Sequence, residues 1–273
     1  MDSGQIENDA FESAISLELD RLPSDIRRPV RHATAGGKRL RPRLVMAFAE
    51  ACGARRESAL RYGVAVELIH KASLIQDDLP CMDSASERNG RPALHRVCSP
   101  AEAVLASDAM IAHAFRICAE SSSPAAAVRV LSEAIIELAH GQALDLQPEG
   151  PATAEEWRSV SDAKTGALFI ASAQLGRLVL GRDTSRLEPI AARFGRALGR
   201  LYQWYDDVTD GDRCHLTTVM VAGELASMRD SLAELPVPAP LEVFLDMLTS
   251  LTAASTDPAA GSQRQRADSS LRR

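Results

Sequence analysis

Three carboxylates crowd the end of an apolar stretch: Asp77 and Asp78 side by side, then Asp83 beyond Pro80, with Arg88 and Arg91 following. The run before them, Leu60, Val64, Leu68 and Ile75 with the small Ala72 between, has near-helical spacing. Pro80 ends that helix. Adjacent carboxylates repel unless a cation lies between them. Hard oxygen donors of this kind suit Mg²⁺, which keeps waters and binds through carboxylates together with substrate phosphates. Taken alone, the pair reads equally well as a solvated helix terminus. A second acidic group weighs against that. Gln203, Asp206, Asp207 and Asp210 recur at i, i+3, i+4 and i+7 beside an apolar stripe of Ile190, Phe194, Leu198, Leu201 and Tyr205. They share one strip of helix, with Asp206 and Asp210 one turn apart. Like charges at that spacing cost roughly 0.2–0.5 kcal/mol on a bare helix. Two helices that both carry this cost point to a cation between them.

Cationic candidates stand at a glycine turn. Gly36-Gly37 precede Lys38 and Arg41 at the head of a helix over 43–51, and amides after glycines, a helix N-terminus and two cations make an anion site. A basic surface turn is the plainer alternative. Lysine usage argues for function: the chain has only Lys38, Lys71 and Lys164, every other basic side chain of this class being Arg. A compact ammonium is not interchangeable with a guanidinium as a phosphate ligand. His70, seven residues before Asp77, shares its helix face. Lys71 is expected on the solvent side.

The elements that must hold these groups are helices. The chain has 273 residues, 45% hydrophobic but only 4% aromatic, rich in Ala and Leu, with few stretches of alternating polarity. No Pro/Gly linker divides the middle, so one all-α domain over 1–254 is expected, with helices around a central cavity. Residues 1–10 are expected to be loose, 11–32 helical, and 255–273 a polar, disordered tail. Helices are expected over 101–119, 125–146, 164–180, 224–235 and 241–254, and Trp157 is expected to pack. Gln142 and Asp145, one turn apart, suit either a structural pair or a place near the metal. Net charge −6 and scattered arginines argue against nucleic acid. The five cysteines form no CxxC pair and suit a reducing cytoplasm. The N-terminal stretch lacks an apolar core for a secretory signal, and no run of 18 apolar residues suggests a membrane span.

Five motifs in order resemble the short-chain trans-polyprenyl diphosphate synthase family, most closely its bacterial geranylgeranyl diphosphate synthases. They are Gly36–Pro42, Asp77–Asp83 with four residues between the pair and the third acid, Gly141–Asp145, Lys164–Gly166 and Asp206–Asp210; the resemblance covers roughly residues 30–212. It implies an isoprenoid-synthase-type helical bundle, a homodimer, and Mg²⁺-dependent condensation of isopentenyl diphosphate with an allylic diphosphate. It further implies that Asp77, Asp78, Asp83, Asp206, Asp207 and Asp210 hold Mg²⁺ across the cavity. Lys164, Thr165, Arg88 and Gln203 would bind the allylic diphosphate, and Lys38, Arg41 and His70 the isopentenyl diphosphate. Asp77, Asp78, Lys164 and Asp206 would be catalytic. Product length would depend on Ala72 and Ser73, both small, which favours a C20 product over C15; Met46 and Phe48 are further candidate walls.

The chain departs from that pattern in three places, the third being a thin C-terminal part with only the two helices expected over 224–235 and 241–254 before the polar tail. Asn89 stands where a second arginine is usual, which weakens the isopentenyl diphosphate site or shifts its duty to Arg91. No lysine follows Asp210, so Arg213 or His215 would have to close the site. These losses keep a weakly active or inactive homologue, acting as a regulatory subunit, as an alternative. A class I terpene cyclase would not need Lys38 and Arg41.

Overall fold

The computed structural model describes residues 3–147, 153–210 and 217–256. Twelve α-helices carry the described chain: α1 (Ser3–Leu19), α2 (Ser24–Thr34), α3 (Leu40–Ala51), α4 (Leu60–Asp77), α5 (Leu94–Val97), α6 (Pro100–Ala119), α7 (Pro124–Asp145), α8 (Ala154–Ser161), α9 (Ala167–Leu178), α10 (Glu188–Asp210), α11 (Thr218–Ala233) and α12 (Ala239–Thr256). The only described strands, β1 (Glu87–Arg88) and β2 (Arg91–Pro92), form a small antiparallel hairpin. The all-α expectation holds.

Two cores form on either side of a central pair, α3 and α9. Val45, Met46 and Ala49 of α3, with Leu168, Ala171 and Leu175 of α9, join α1, α2, α4, α6 and α7. Leu44, Ala47 and Phe48 of α3, with Phe169 and Ala173 of α9, join α8, α10, α11 and α12. Both helices are therefore apolar on opposite faces, as fully enclosed helices must be. The Phe48 and Phe194 rings meet edge to face with centroids 6.2 Å apart. α4 is also enclosed: Tyr62 through Ile69 are all buried.

The N-terminal region differs from expectation. Residues 3–10 belong to α1 rather than a loose tail, because Phe11, Ile15 and Leu19 give that helix a buried face against α4. The 11–32 stretch is two helices, broken at Leu22–Pro23, as the residue before a proline leaves the helical region. α12 continues to Thr256; the expected tail beyond it lies outside the described residues.

The turn into α3 is locked from inside. Gly36 (φ +72°), Gly37 (φ +112°) and Arg39 (φ +51°) adopt left-handed backbone conformations. The strained Arg39 is compensated by its side chain, which donates to Glu67 of α4 at 2.6 Å, to Glu12 of α1 at 2.8 Å and to the Thr34 carbonyl at 2.8 Å. Arg39 and Glu67 are both almost fully buried. Removing one member leaves an uncompensated buried charge. Arg39→Ala is accordingly expected to destabilise the chain by about 3–5 kcal/mol, read as a lower midpoint in urea unfolding; a change within 0.5 kcal/mol would show that the lock carries no weight.

Candidate active site

The two acidic groups sit at the C-terminal ends of α4 and α10, the helix ends of the two cores. α4 stops at Asp77, with Asp78 capping it. The chain then folds back on the helix end, Asp83 N donating to the Asp77 carbonyl at 2.9 Å and Ser84 N to the Leu79 carbonyl at 3.1 Å. This return leads into the hairpin and brings Arg88 to Asp78, at 2.5 and 3.0 Å to the same oxygen. Asp78 is buried, and its carboxylate raises the guanidinium of Arg88 above its usual value.

The hairpin explains Asn89. Glu87 pairs with Pro92 and Arg88 with Arg91, so Asn89-Gly90 is the two-residue loop, with φ +54° and +71°. Left-handed backbone at both positions is the type I′ turn, for which Asn-Gly is the preferred pair. Arg91 is not among the residues lining the polar cavity beside α4; it donates to the His32 and Ala35 carbonyls at 3.3 and 3.4 Å, tying the hairpin to the end of α2.

Two cavities flank α4. The first, about 730 Å³, is polar, lined by Lys38, Arg39, Arg41, Glu67, His70, Lys71, Arg88, Asn89, Tyr202 and Asp206. The second, about 520 Å³, has a polar end made by Asp77, Gln142, Lys164 and Thr165, and an apolar body that includes Ile69, Ala72, Ile111, Ile135 and Leu138. Arg41 and His70 line both. They lie 3.4 Å apart, and the Arg41 guanidinium stacks over the Phe169 ring at 4.6 Å. Burial and the neighbouring Arg41 push His70 well below its usual value, so it is neutral at pH 7. Arg41 Nε and Gln142 Nε2 are buried without a protein partner.

Lys71 departs from the sequence reading. It is 5% exposed, not on the solvent side, because the middle of α4, Tyr62–Ile69, is enclosed and Lys71 lies just beyond it. Its ammonium donates to the Gly36 carbonyl at 3.2 Å and lies 3.8 Å from Glu67. Met46 and Phe48 also depart: both are core residues and neither lines the apolar cavity. Ile111 of α6 and Ile135 and Leu138 of α7 stand there instead.

Lys164 and Thr165 sit in a π turn, Asp162–Gly166, between α8 and α9. A widened turn of this kind re-aims side chains. α7 approaches it so closely that a Cβ on Gly141 would lie 2.4 Å from the Lys164 backbone nitrogen; only glycine fits. Lys164 is ion-paired with Asp145. Thr165 donates to Gln203 Oε1 at 2.6 Å, Gln203 donates to Asp207 at 2.6 Å, and the Trp157 indole donates to the other Asp207 oxygen at 2.8 Å. Trp157 thus packs as expected and also holds a carboxylate, which no local spacing announces.

The expected six-carboxylate cluster is not assembled among the described residues: no three acid, His or Cys side chains gather as a cation's ligand group. Successive helical residues point about 100° apart, so Asp78 and Asp207 turn from their neighbours to Arg88 and to Trp157 and Gln203. Asp77 lines the apolar cavity and Asp206 the polar one. The side chain of Asp210, and Arg213 and His215, lie outside the described residues. The donor chemistry nonetheless fits Mg²⁺. Asp77 is pushed up to about 6 by burial, with Asp83 and Asp78 adding like charge against Lys164 and Arg88, a situation a divalent cation reverses.

Residues 23–215 match the Polyprenyl synthetase family. The chain belongs to that family. It is 38% identical over 222 residues to the chloroplastic heterodimeric geranylgeranyl pyrophosphate synthase large subunit 1 of Arabidopsis thaliana, covering 76% of this chain and 58% of that one. It is 36% identical over 217 residues to a geranylgeranyl diphosphate synthase of Cereibacter sphaeroides, covering 73% and 72%. The chain thus spans less than two thirds of the length of the plant relative. Among solved structures, a geranyltransferase from Legionella pneumophila superposes with TM-score 0.76 at 26% identity, over 92% of this chain and 95% of that one. A geranyltranstransferase from Thermotoga maritima gives 0.69 at 27%, over 92% and 97%. No helix among the described residues is long and apolar enough to cross a membrane.

Asp77 carries a pH signature. Its folded value, about 6, lies above the unperturbed 3.8, so the folded chain holds that proton more tightly. The resulting stability is complete below pH 3.8 and is lost as pH rises through 6. Asp77→Asn removes that loss. In EDTA its melting temperature relative to the unsubstituted chain should rise between pH 4 and pH 7, by the equivalent of about 1–2 kcal/mol, less than full burial would give because the carboxyl is partly in water. A difference that does not change with pH would contradict the environment described for Asp77.

Proposed function

We propose that the chain transfers a prenyl group head to tail, joining an allylic diphosphate to isopentenyl diphosphate and releasing inorganic diphosphate. One observation carries the reading: a cation-rich cavity and an apolar cavity share Arg41 and His70 as a common wall, and the apolar one has a polar end at Asp77 and Lys164. Two charged head groups and one hydrocarbon tail need that arrangement.

The allylic substrate lays its tail along Ile69, Ala72, Ile111, Ile135 and Leu138, with its diphosphate at Lys164, Thr165 and Gln203, and Arg88 beside Asp78. Isopentenyl diphosphate binds by its head group to Lys38, Arg41 and His70. Neutral His70 donates or accepts one hydrogen bond without adding charge. Asp77, Asp83, Asp206 and Asp210 would hold Mg²⁺, which when bound would supply the Lewis acidity that favours ionisation of the allylic C–O bond. Asp78 and Asp207 serve as positioning residues, Asp78 for Arg88 and Asp207 for Gln203. The double bond of isopentenyl diphosphate attacks the allylic carbon, and loss of a proton gives a chain longer by one isoprene unit. Fixing the two substrates in one geometry is a large part of the acceleration, and preorganised cations at the leaving diphosphate supply much of the rest.

The test uses the purified chain alone with Mg²⁺, labelled isopentenyl diphosphate and, separately, dimethylallyl, geranyl and farnesyl diphosphate. A geranylgeranyl product is expected, reduced by a factor on the order of 100 or more in Asp77→Ala and in Asp206→Ala. Folded protein that makes no product with any primer would overturn the reading. Product length is set by the apolar cavity. Ala72 is buried in its wall and Ser73 lies beside it, its hydroxyl turned to the His70 carbonyl at 2.9 Å. Ala72→Phe fills part of that space and should shift the product from C20 towards C15 or C10 by chromatography of the dephosphorylated alcohols; an unchanged product would place the tail elsewhere.

A further inference from the structure

Lys71 is a buried cation that the mechanism above leaves unused. Burying an ammonium is expensive unless it is paired and hydrogen-bonded. It lies on α4 beside His70, and its Nζ makes one hydrogen bond, to the Gly36 carbonyl at 3.2 Å. An ammonium has three donors. Glu67, 3.8 Å away, has a closer partner in Arg39 at 2.6 Å, while Glu12 reaches Arg39 from the solvent side. Burial, together with Arg39 and Arg41, holds Lys71 below its usual value although Glu67 opposes this. An anion in the cavity would supply the missing counter-charge. Lys71 and Asn89 line the same polar cavity as Lys38 and Arg41. Asn89 is there because the type I′ turn favours it, and it brings no charge.

We propose that Lys71 binds the diphosphate of isopentenyl diphosphate, its ammonium aimed by the Gly36 carbonyl to act with Lys38 and Arg41 on one head group. The inference deepens the function proposed above and rests on it for the identity of the ligand. The same hydrogen bond makes Lys71 a brace for the glycine turn: a Cβ on Gly37 would lie 3.1 Å from Nζ. The two roles are separable, because a charge can be restored at position 89 without restoring the brace.

The experiment titrates inorganic pyrophosphate into the full chain by calorimetry in EDTA, so that only the cationic cavity is read. Lys71→Met is expected to weaken binding roughly tenfold, the lower end for one charge-assisted hydrogen bond. Lys71→Gln, which can still donate to the Gly36 carbonyl, is expected to weaken it similarly and serves if the methionine variant does not fold. Adding Asn89→Arg to either variant should recover most of the loss; arginine already tolerates such a backbone at position 39 (φ +51°). In turnover, KM for isopentenyl diphosphate should rise while KM for the allylic substrate stays within about twofold. Wild-type affinity in Lys71→Gln would overturn the proposal, and so would a loss that Asn89→Arg does not recover, which would leave only the brace. Pyrophosphate binding that depends on Lys71 in a chain that makes no prenyl product would sink the function and leave the anion site standing.

Discussion

Glu67 is the buried acid around which the site is built. It sits in the middle of α4, where hardly any side chain meets water, and it holds Arg39 at 2.6 Å with Lys71 at 3.8 Å. A lone carboxylate there would be untenable, so the cations are obligatory. Their backbones are the glycine turn on one side and α4 itself on the other. The pairing therefore fixes the Gly36–Arg41 segment against the same helix that carries His70 and Asp77. The common wall of Arg41 and His70 follows from it, as does the separation of a charged cavity from an apolar one. The pairing need not add net stability over an apolar pair of equal volume; what it supplies is register between two segments far apart in sequence.

The helix ends add a second constraint. Both acidic groups occur where a helix stops, and in each the adjacent aspartates diverge. Asp77 keeps to the apolar cavity while Asp78 is held by Arg88; Asp206 lines the polar cavity while Asp207 is held by Trp157 and Gln203. The two aspartates of each pair thus differ in surroundings, one lining a cavity and the other orienting a donor. Close backbone approach at Gly141 and the π turn at Asp162–Gly166 set Lys164 and Thr165 opposite these ends.

Much of this was legible in the sequence, because helical spacing and helix punctuation are local. The apolar run before Asp77, the strip of Gln203 and the second acids, and the glycine turn before α3 all carry their geometry within a few residues. What escaped is long-range. Nothing near Trp157 announces Asp207, fifty positions on. Lys71 looked solvent-facing because the sequence of one helix does not show how much of it its neighbours enclose. Met46 and Phe48 were candidate cavity walls until the two cores claimed them. Asn89 had a readable signal, the Asn-Gly pair of a two-residue hairpin, which the expectation of an arginine at that position obscured. Membership in the Polyprenyl synthetase family was legible because five motifs in order leave little room for coincidence.

The proposed function requires two head-group sites, one depending on fixed cations and one on carboxylates, divided by Arg41 and His70. The most direct measurement is calorimetric titration of isopentenyl diphosphate, and separately of a non-hydrolysable allylic diphosphate analogue, with and without Mg²⁺. The account predicts that isopentenyl diphosphate binds with or without the metal, that the analogue binds only with it, and that saturating one leaves room for the other. Competition between the two for a single, wholly metal-dependent site would contradict it.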